Sequence, residues 1–142
     1  MIVNIRDFHF YLGRTIMYCQ TIEHDVKLIY AGMKLGDMDK NLNMIEDNKM
    51  TLGMVIKNLK ELDHSDDNHL FTDADFELLK DITNIRNHLT HKVYCEFVYS
   101  SDSKDFIEQA RQLEKDHDHL EKLSKAIESV RIKALRQYGR IK

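Results

Sequence analysis

The sequence predicts an all-α fold, an up-and-down bundle of four-helix type with long N- and C-terminal helices, on three observations. No proline occurs in 142 residues and only five glycines do, which removes the usual helix breakers and leaves few turn positions for a β fold. Two very long stretches carry apolar residues at alternating spacings of three and four, the period of an amphipathic helix. Apolar residues make up 42% of the chain against 32% charged, enough for one core and too few for a membrane span, so residues 1–142 read as a single domain.

The first helix is expected over about residues 4–35, where Ile5, Phe8, Leu12, Ile16, Cys19, Ile22, Val26, Ile29 and Met33 form one stripe. Gly36-Asp37 ends it, and Met38 to Lys49, with scattered Met, Leu and Ile among Asn, Asp and Lys, reads as a loop or a short irregular helix. Leu52, Val55, Ile56, Leu59 and Leu62 mark a second helix from Thr51 to Leu62, and the acidic run Asp63 to Asn68 closes it. Thr72, with Asp75 three residues on, suits the N-cap of a third helix reaching His91 and extending toward Phe97.

Ser100 to Ser103 interrupts the pattern. Phe106, Ala110, Leu113, Leu120, Leu123, Ile127, Val130 and Leu135 then mark a last long helix ending near Gly139. Arg131, Lys133, Arg136 and Arg140 in its final turns suit the negative end of a helix dipole, so capping and solvation explain them better than RNA contact.

Several function classes fall away. The opening residues have neither the long apolar stretch nor the small-residue cleavage site of an export signal, and no run approaches bilayer length, so a cytoplasmic protein without membrane attachment is expected. Cys19 and Cys95 are too few for a disulfide framework and form no C-x-x-C pair; both read as small core residues. A formal charge of −3 argues against non-specific coating of DNA or RNA, since such binding rests on neutralising phosphates. Glycine-rich phosphate loops, nucleophile elbows and Cys/His pairs are missing, and no cofactor is expected.

One segment of the third helix carries chemistry. Leu78, Ile82, Ile85, Leu89 and Val93 form its core stripe, and Arg86 falls about 40° from the centre of that stripe. His91 falls nearly opposite, with Phe76, Asn87 and Tyr94 within about 60° of it. A second face of this kind suits a helix packed against a symmetry mate, so a homodimer is expected, with Arg86 and His91 of both copies lining a shared cleft.

The string Ile85-Arg86-Asn87-His88-Leu89-Thr90-His91 resembles the motif of the HEPN superfamily: an Arg and a His four to six residues apart, with a polar residue, often Asn, after the Arg. Members of that superfamily are helical bundles of about this size that often dimerise through the motif helix. The resemblance implies metal-independent cleavage of RNA, in which a ribose 2′-OH attacks the neighbouring phosphate to leave a cyclic phosphate. His91 would move protons, Arg86 would stabilise phosphoryl charge, and Asn87 would orient the His or a phosphate.

Toxin members of the superfamily often carry, two residues after the motif His, a Tyr to which a partner antitoxin attaches nucleotides. Val93 stands there, which puts a modifying antitoxin in doubt, while Tyr94 could contact substrate or the second subunit. His88 reads as solvated, or as a substrate or interface contact. In the plainer alternative Arg86 pairs with Asp81 or Glu23 and His91 bonds across an interface, so that the helix only dimerises or binds RNA or a nucleotide.

A rival constellation is the di-metal four-helix bundle, which uses Glu-x-x-His on two helices. Glu61-Leu62-Asp63-His64 and Glu114-Lys115-Asp116-His117 fit that spacing. His117 lies on the apolar stripe, but Glu61 projects about 180° from Leu52 and His64 stands where its helix ends, so no metal site is expected. The loop Asp63 to His69 has ligand atoms without calcium or zinc spacing, and His117 and His119 diverge by about 160°. Met33, Met44, Met50 and Met54 read as core filler.

Overall fold

The computed structural model describes all 142 residues and contains five α-helices and no strand: α1 (Ile5–Met33), α2 (Met38–Asp47), α3 (Leu52–Asp63), α4 (Asp73–His91) and α5 (Ser103–Gln137), with a 3₁₀ turn at Val93–Glu96. Each α-helix starts on a side chain that accepts a hydrogen bond from a backbone N–H of its first turn: Asn4, Asp37, Thr51, Thr72 and Asp102. These are residues with short polar side chains suited to that position. At α4 the bond is reciprocated, with Thr72 and Asp75 forming a capping box.

Of the two options left for Met38 to Lys49, a loop or a short irregular helix, the chain takes a helix, regular over Met38–Asp47. Asp37 caps it, and Asn41 and Ile45 are its buried contacts. This extra helix changes the topology expected for four. In an up-and-down chain of five helices the first and last point the same way, and α1 and α5 do run in parallel: Phe8 meets Phe106, Tyr11 meets His117, Asp25 meets Arg131 and Gly32 meets Leu135. They form the most extensive helix pair in the molecule. α4 runs the opposite way along α1, placing Arg86 at Glu23 and Tyr94 at His9.

The larger core joins Ile22, Val26 and Ile29 of α1 to Val55 and Leu59 of α3, Leu79 and Ile82 of α4, and Leu120 and Ile127 of α5. A smaller core lies at the other end, where Phe8 and Leu12 meet Leu89, Val93, Ala110 and Leu113. Phe8 is fully enclosed by Tyr94, Phe97 and Phe106 at ring-centre distances of 5.7, 5.0 and 5.7 Å, an edge-and-tilt cluster of the kind aromatic quadrupoles favour. The end of α4 sits over this smaller core.

Three expectations about burial are corrected. Phe76 belongs to the core and not to an outer face, because the α3–α4 connection folds over the first turn of α4 and packs Phe71 against it at 5.1 Å. The stripe consequently shifts to Phe76, Leu79, Ile82 and Leu89, with Leu78 and Ile85 half-buried. Cys95 is exposed on the 3₁₀ turn, unlike the buried Cys19. Met44 and Met54 face solvent, whereas Met33 is buried and Met50 packs on the core edge.

The C-terminal cations also do more than solvate their own helix. α1 ends with no basic residue in its last turn, and its unpaired carbonyls are met from elsewhere. Arg140 donates to the carbonyls of Gly32, Lys34 and Gly36 at 3.0, 2.9 and 2.7 Å. Asn41 Nδ2 donates to Ala31, Lys34 and Leu35. Gly36, at φ +97°, supplies the left-handed turn that brings these carbonyls within reach.

Candidate functional site

The segment Arg86 to His91 forms the last turns of α4, and successive residues there fan out to three environments. Arg86 turns toward α1. Its guanidinium Nη1 bonds Glu23 Oε2, with the two side chains only 31% and 19% exposed. Glu23 is also 3.5 Å from Lys27 Nζ, so one half-buried carboxylate holds two cations and fixes the guanidinium by a charge-assisted bond. The plainer alternative of an Arg86–Glu23 pair is thus the contact observed within one chain.

His88 turns the other way, toward α5, and its Nε2 lies 3.3 Å from Gln109 Oε1. It is half-buried, where sequence reasoning placed it in solvent. Asn87 and His91 are exposed, and the side chain of His91, the last residue of the helix, makes no hydrogen bond to the rest of the chain. Thr90 turns its hydroxyl back onto the Arg86 carbonyl at 2.8 Å. Within one protomer Arg86 and His91 do not share a cleft, since five residues separate them by about 140° and 7.5 Å along the helix.

Tyr94 departs from the expected face. The chain leaves α-helical geometry at Lys92, and the 3₁₀ turn swings Tyr94 onto α1, where its hydroxyl lies 2.5 Å from His9 Nδ1 and its ring packs at a tilt against Phe8. Burial pushes the phenol above its ordinary pKa. Val93, where a modifiable Tyr would stand, is 2% exposed within the smaller core. Neither side chain is presented for nucleotide transfer.

Behind Arg86 lies a seam of polar groups between α1, α4 and α5. Cys19 is fully buried, and burial pushes its thiol up to about 11, offset in part by the Arg86 charge. Asp116, half-buried, accepts from Gln112 Nε2 at 3.1 Å, and its carboxyl is raised chiefly by burial, with His88 and His119 acting against that rise. His9, Gln109 and Asp116 carry no sequence signal of their own; only the helix directions bring them to the motif.

The two Glu-x-x-His segments do not converge. Glu114 accepts the Ile2 backbone N–H, while His64 stacks on His69 at 5.0 Å and lies 3.8 Å from Asp73 at the far end of α3. His117 is buried between Tyr11 and Tyr18, with ring centres 4.8 and 5.5 Å away. Its Nδ1 lies 3.0 Å from Asp118, and with Glu121 these two residues bring three ligand atoms within 4.8 Å. Asp118 is exposed and Glu121 pairs with Lys125 at 3.6 Å.

No helix is long and apolar enough to cross a membrane. Comparison with family models, curated proteins and solved structures gives no match for the chain.

Proposed function

We propose that the chain is a metal-independent endoribonuclease of the HEPN type, working as a homodimer through α4. The observation that carries this reading is the pairing, on the last turns of one helix, of a guanidinium oriented by Glu23 with an imidazole that has no partner in its own chain. His91, exposed in the last turn of α4, is open to a second copy or to substrate.

In the reaction, a ribose 2′-oxygen attacks the adjacent phosphorus as one His91 accepts its proton. The phosphorus–5′-oxygen bond breaks, and the leaving oxygen takes a proton from a second imidazole, that of the other copy. Arg86 stabilises charge on the non-bridging oxygens, and a guanidinium already held in place needs little reorganisation as that charge develops. Asn87, exposed between them, contacts the phosphate or orients the imidazole. The products are a 2′,3′-cyclic phosphate and a 5′-hydroxyl.

The test is incubation with total RNA in excess chelator, followed by analysis of product ends. Cleavage with cyclic phosphate ends is expected, reduced about 10²- to 10⁴-fold in His91→Ala and about 10²- to 10³-fold in Arg86→Ala. Full cleavage by a folded His91→Ala protein, or cleavage abolished by chelator, overturns the proposal.

The divergence of Arg86 and His91 within one protomer favours a second reading, a non-catalytic module whose α4 serves dimerisation or RNA binding. RNA binding without cleavage is its signature.

A further inference from the structure

His88 and Gln109 form one wall of an open groove between the end of α4 and the first turns of α5, with a volume of about 730 Å³. Lys104, Arg111 and Lys115 line its other side. On α5 these positions are spaced by seven and four residues, which puts the three cations on one strip roughly 16 Å long. None of them has an acidic partner within 4.0 Å: the ion pairs of the molecule are formed by other residues. Glu108 is the only carboxylate lining the groove.

Unpaired cations outnumber carboxylates here on a chain whose formal charge is −3. The nearby carboxylates Asp105, Asp116 and Glu114 accept from Ser100, Gln112 and Ile2 and do not line the groove. The groove has one apolar residue, Ile107, so it offers little to an apolar partner and a row of donors to an anionic one. Three cations along that strip can meet successive phosphates of one strand.

We infer that this α4–α5 groove binds the phosphodiester backbone of single-stranded RNA, Lys104, Arg111 and Lys115 each contacting a phosphate and His88 flanking the middle of the strip from the α4 side, beside the Arg86–His91 segment. The inference rests on the endoribonuclease reading for its choice of polynucleotide, and it adds the path by which the strand reaches α4. The contacts are electrostatic and carry no base preference.

The test uses a fluorescent single-stranded 20-mer of RNA and the His91→Ala protein, so that the probe stays intact. Affinity should fall with salt, and the triple substitution Lys104→Gln/Arg111→Gln/Lys115→Gln should weaken binding about 10- to 100-fold at low salt and flatten the log–log salt slope by about 2. The same three positions substituted within the cations (Lys→Arg, Arg→Lys) should restore binding. Lys40→Gln/Lys49→Gln/Lys57→Gln, three exposed cations on α2, the turn after it and α3, should leave it unchanged.

Failure of the parent to bind RNA at low salt, or equal losses in the two triple variants, overturns the groove. Inorganic phosphate competing as well as RNA would also overturn it, because a strand-length site gains from contacts made together. Cleavage that proceeds in wild type with the salt slope unmoved by the groove substitutions removes the groove and keeps the nuclease. Groove-dependent binding with no cleavage removes the nuclease and keeps the groove.

Discussion

A single carboxylate, Glu23, decides what Arg86 can do. Freed from it, the guanidinium would share its time among solvent conformers; held by it, the group stays at the edge of the core with part of its fork open. Glu23→Gln should therefore slow RNA cleavage by about tenfold, less than Arg86→Ala does. The double variant should be no slower than Arg86→Ala alone, since the carboxylate acts only through the arginine; single-turnover rates measure both. The cysteines separate just as sharply. With its thiol pushed up to about 11 by burial, Cys19 stays protonated near neutral pH and out of reach, whereas Cys95 is exposed. A thiol reagent at pH 8 should label one site per native chain and two after denaturation.

At the scale of elements, stability concentrates where helix ends meet. Arg140 covers three carbonyls at the end of α1 and ties that end to the end of α5. Arg140→Ala should cost about 1–3 kcal/mol, as expected for charge-assisted bonds whose acceptors are partly exposed, read as a lower midpoint in denaturant with an unchanged slope. Asp63 plays the matching part at the α3–α4 connection. Its buried carboxylate accepts the Leu70 and Phe71 N–H groups at 2.8 and 3.2 Å, and this is what folds the connection over Phe76. Asp63→Ala should cost about 2–4 kcal/mol, because two N–H groups lose their acceptor and one of them is buried. It should also raise hydrogen exchange across residues 64–76 first.

For the molecule as a whole, two measurements bear on how the bundle is assembled. Asp116 sits in the seam between α4 and α5, and burial raises its folded pKa above its unfolded one. Such a group contributes stability below its unfolded pKa, and that contribution is lost as pH rises through the folded value. Asp116→Asn, which keeps an acceptor for Gln112, should thus melt higher than wild type at pH 7 and match it near pH 3. The second measurement is mass in solution. If α4 pairs with a second copy, light scattering should report about 34 kDa, twice the 16.8 kDa chain, and charge placed at exposed Asn87 should return the chain to monomer while leaving its helicity intact.

The helices were legible in the sequence because periodicity, caps and the lack of proline are local properties, and local hydrogen bonds suffice to express them. Stripes such as Ile22, Val26 and Ile29, or Leu113, Leu120 and Ile127, name their own core face. α2 was the exception, its apolar residues being too few to show a stripe, although Asp37 marked its start. The motif Arg86 to His91 was legible as residue types at a spacing; its surroundings were not. That Arg86 meets Glu23, Tyr94 turns to His9 and three lysine and arginine side chains line a groove beside His88 follows from the parallel pairing of α1 with α5 and the antiparallel run of α4. Those directions depend on counting five helices, and contacts between residues 21 to 112 positions apart leave no trace in any local window. Side-chain chemistry was therefore written along the chain, and only packing chose which groups would meet.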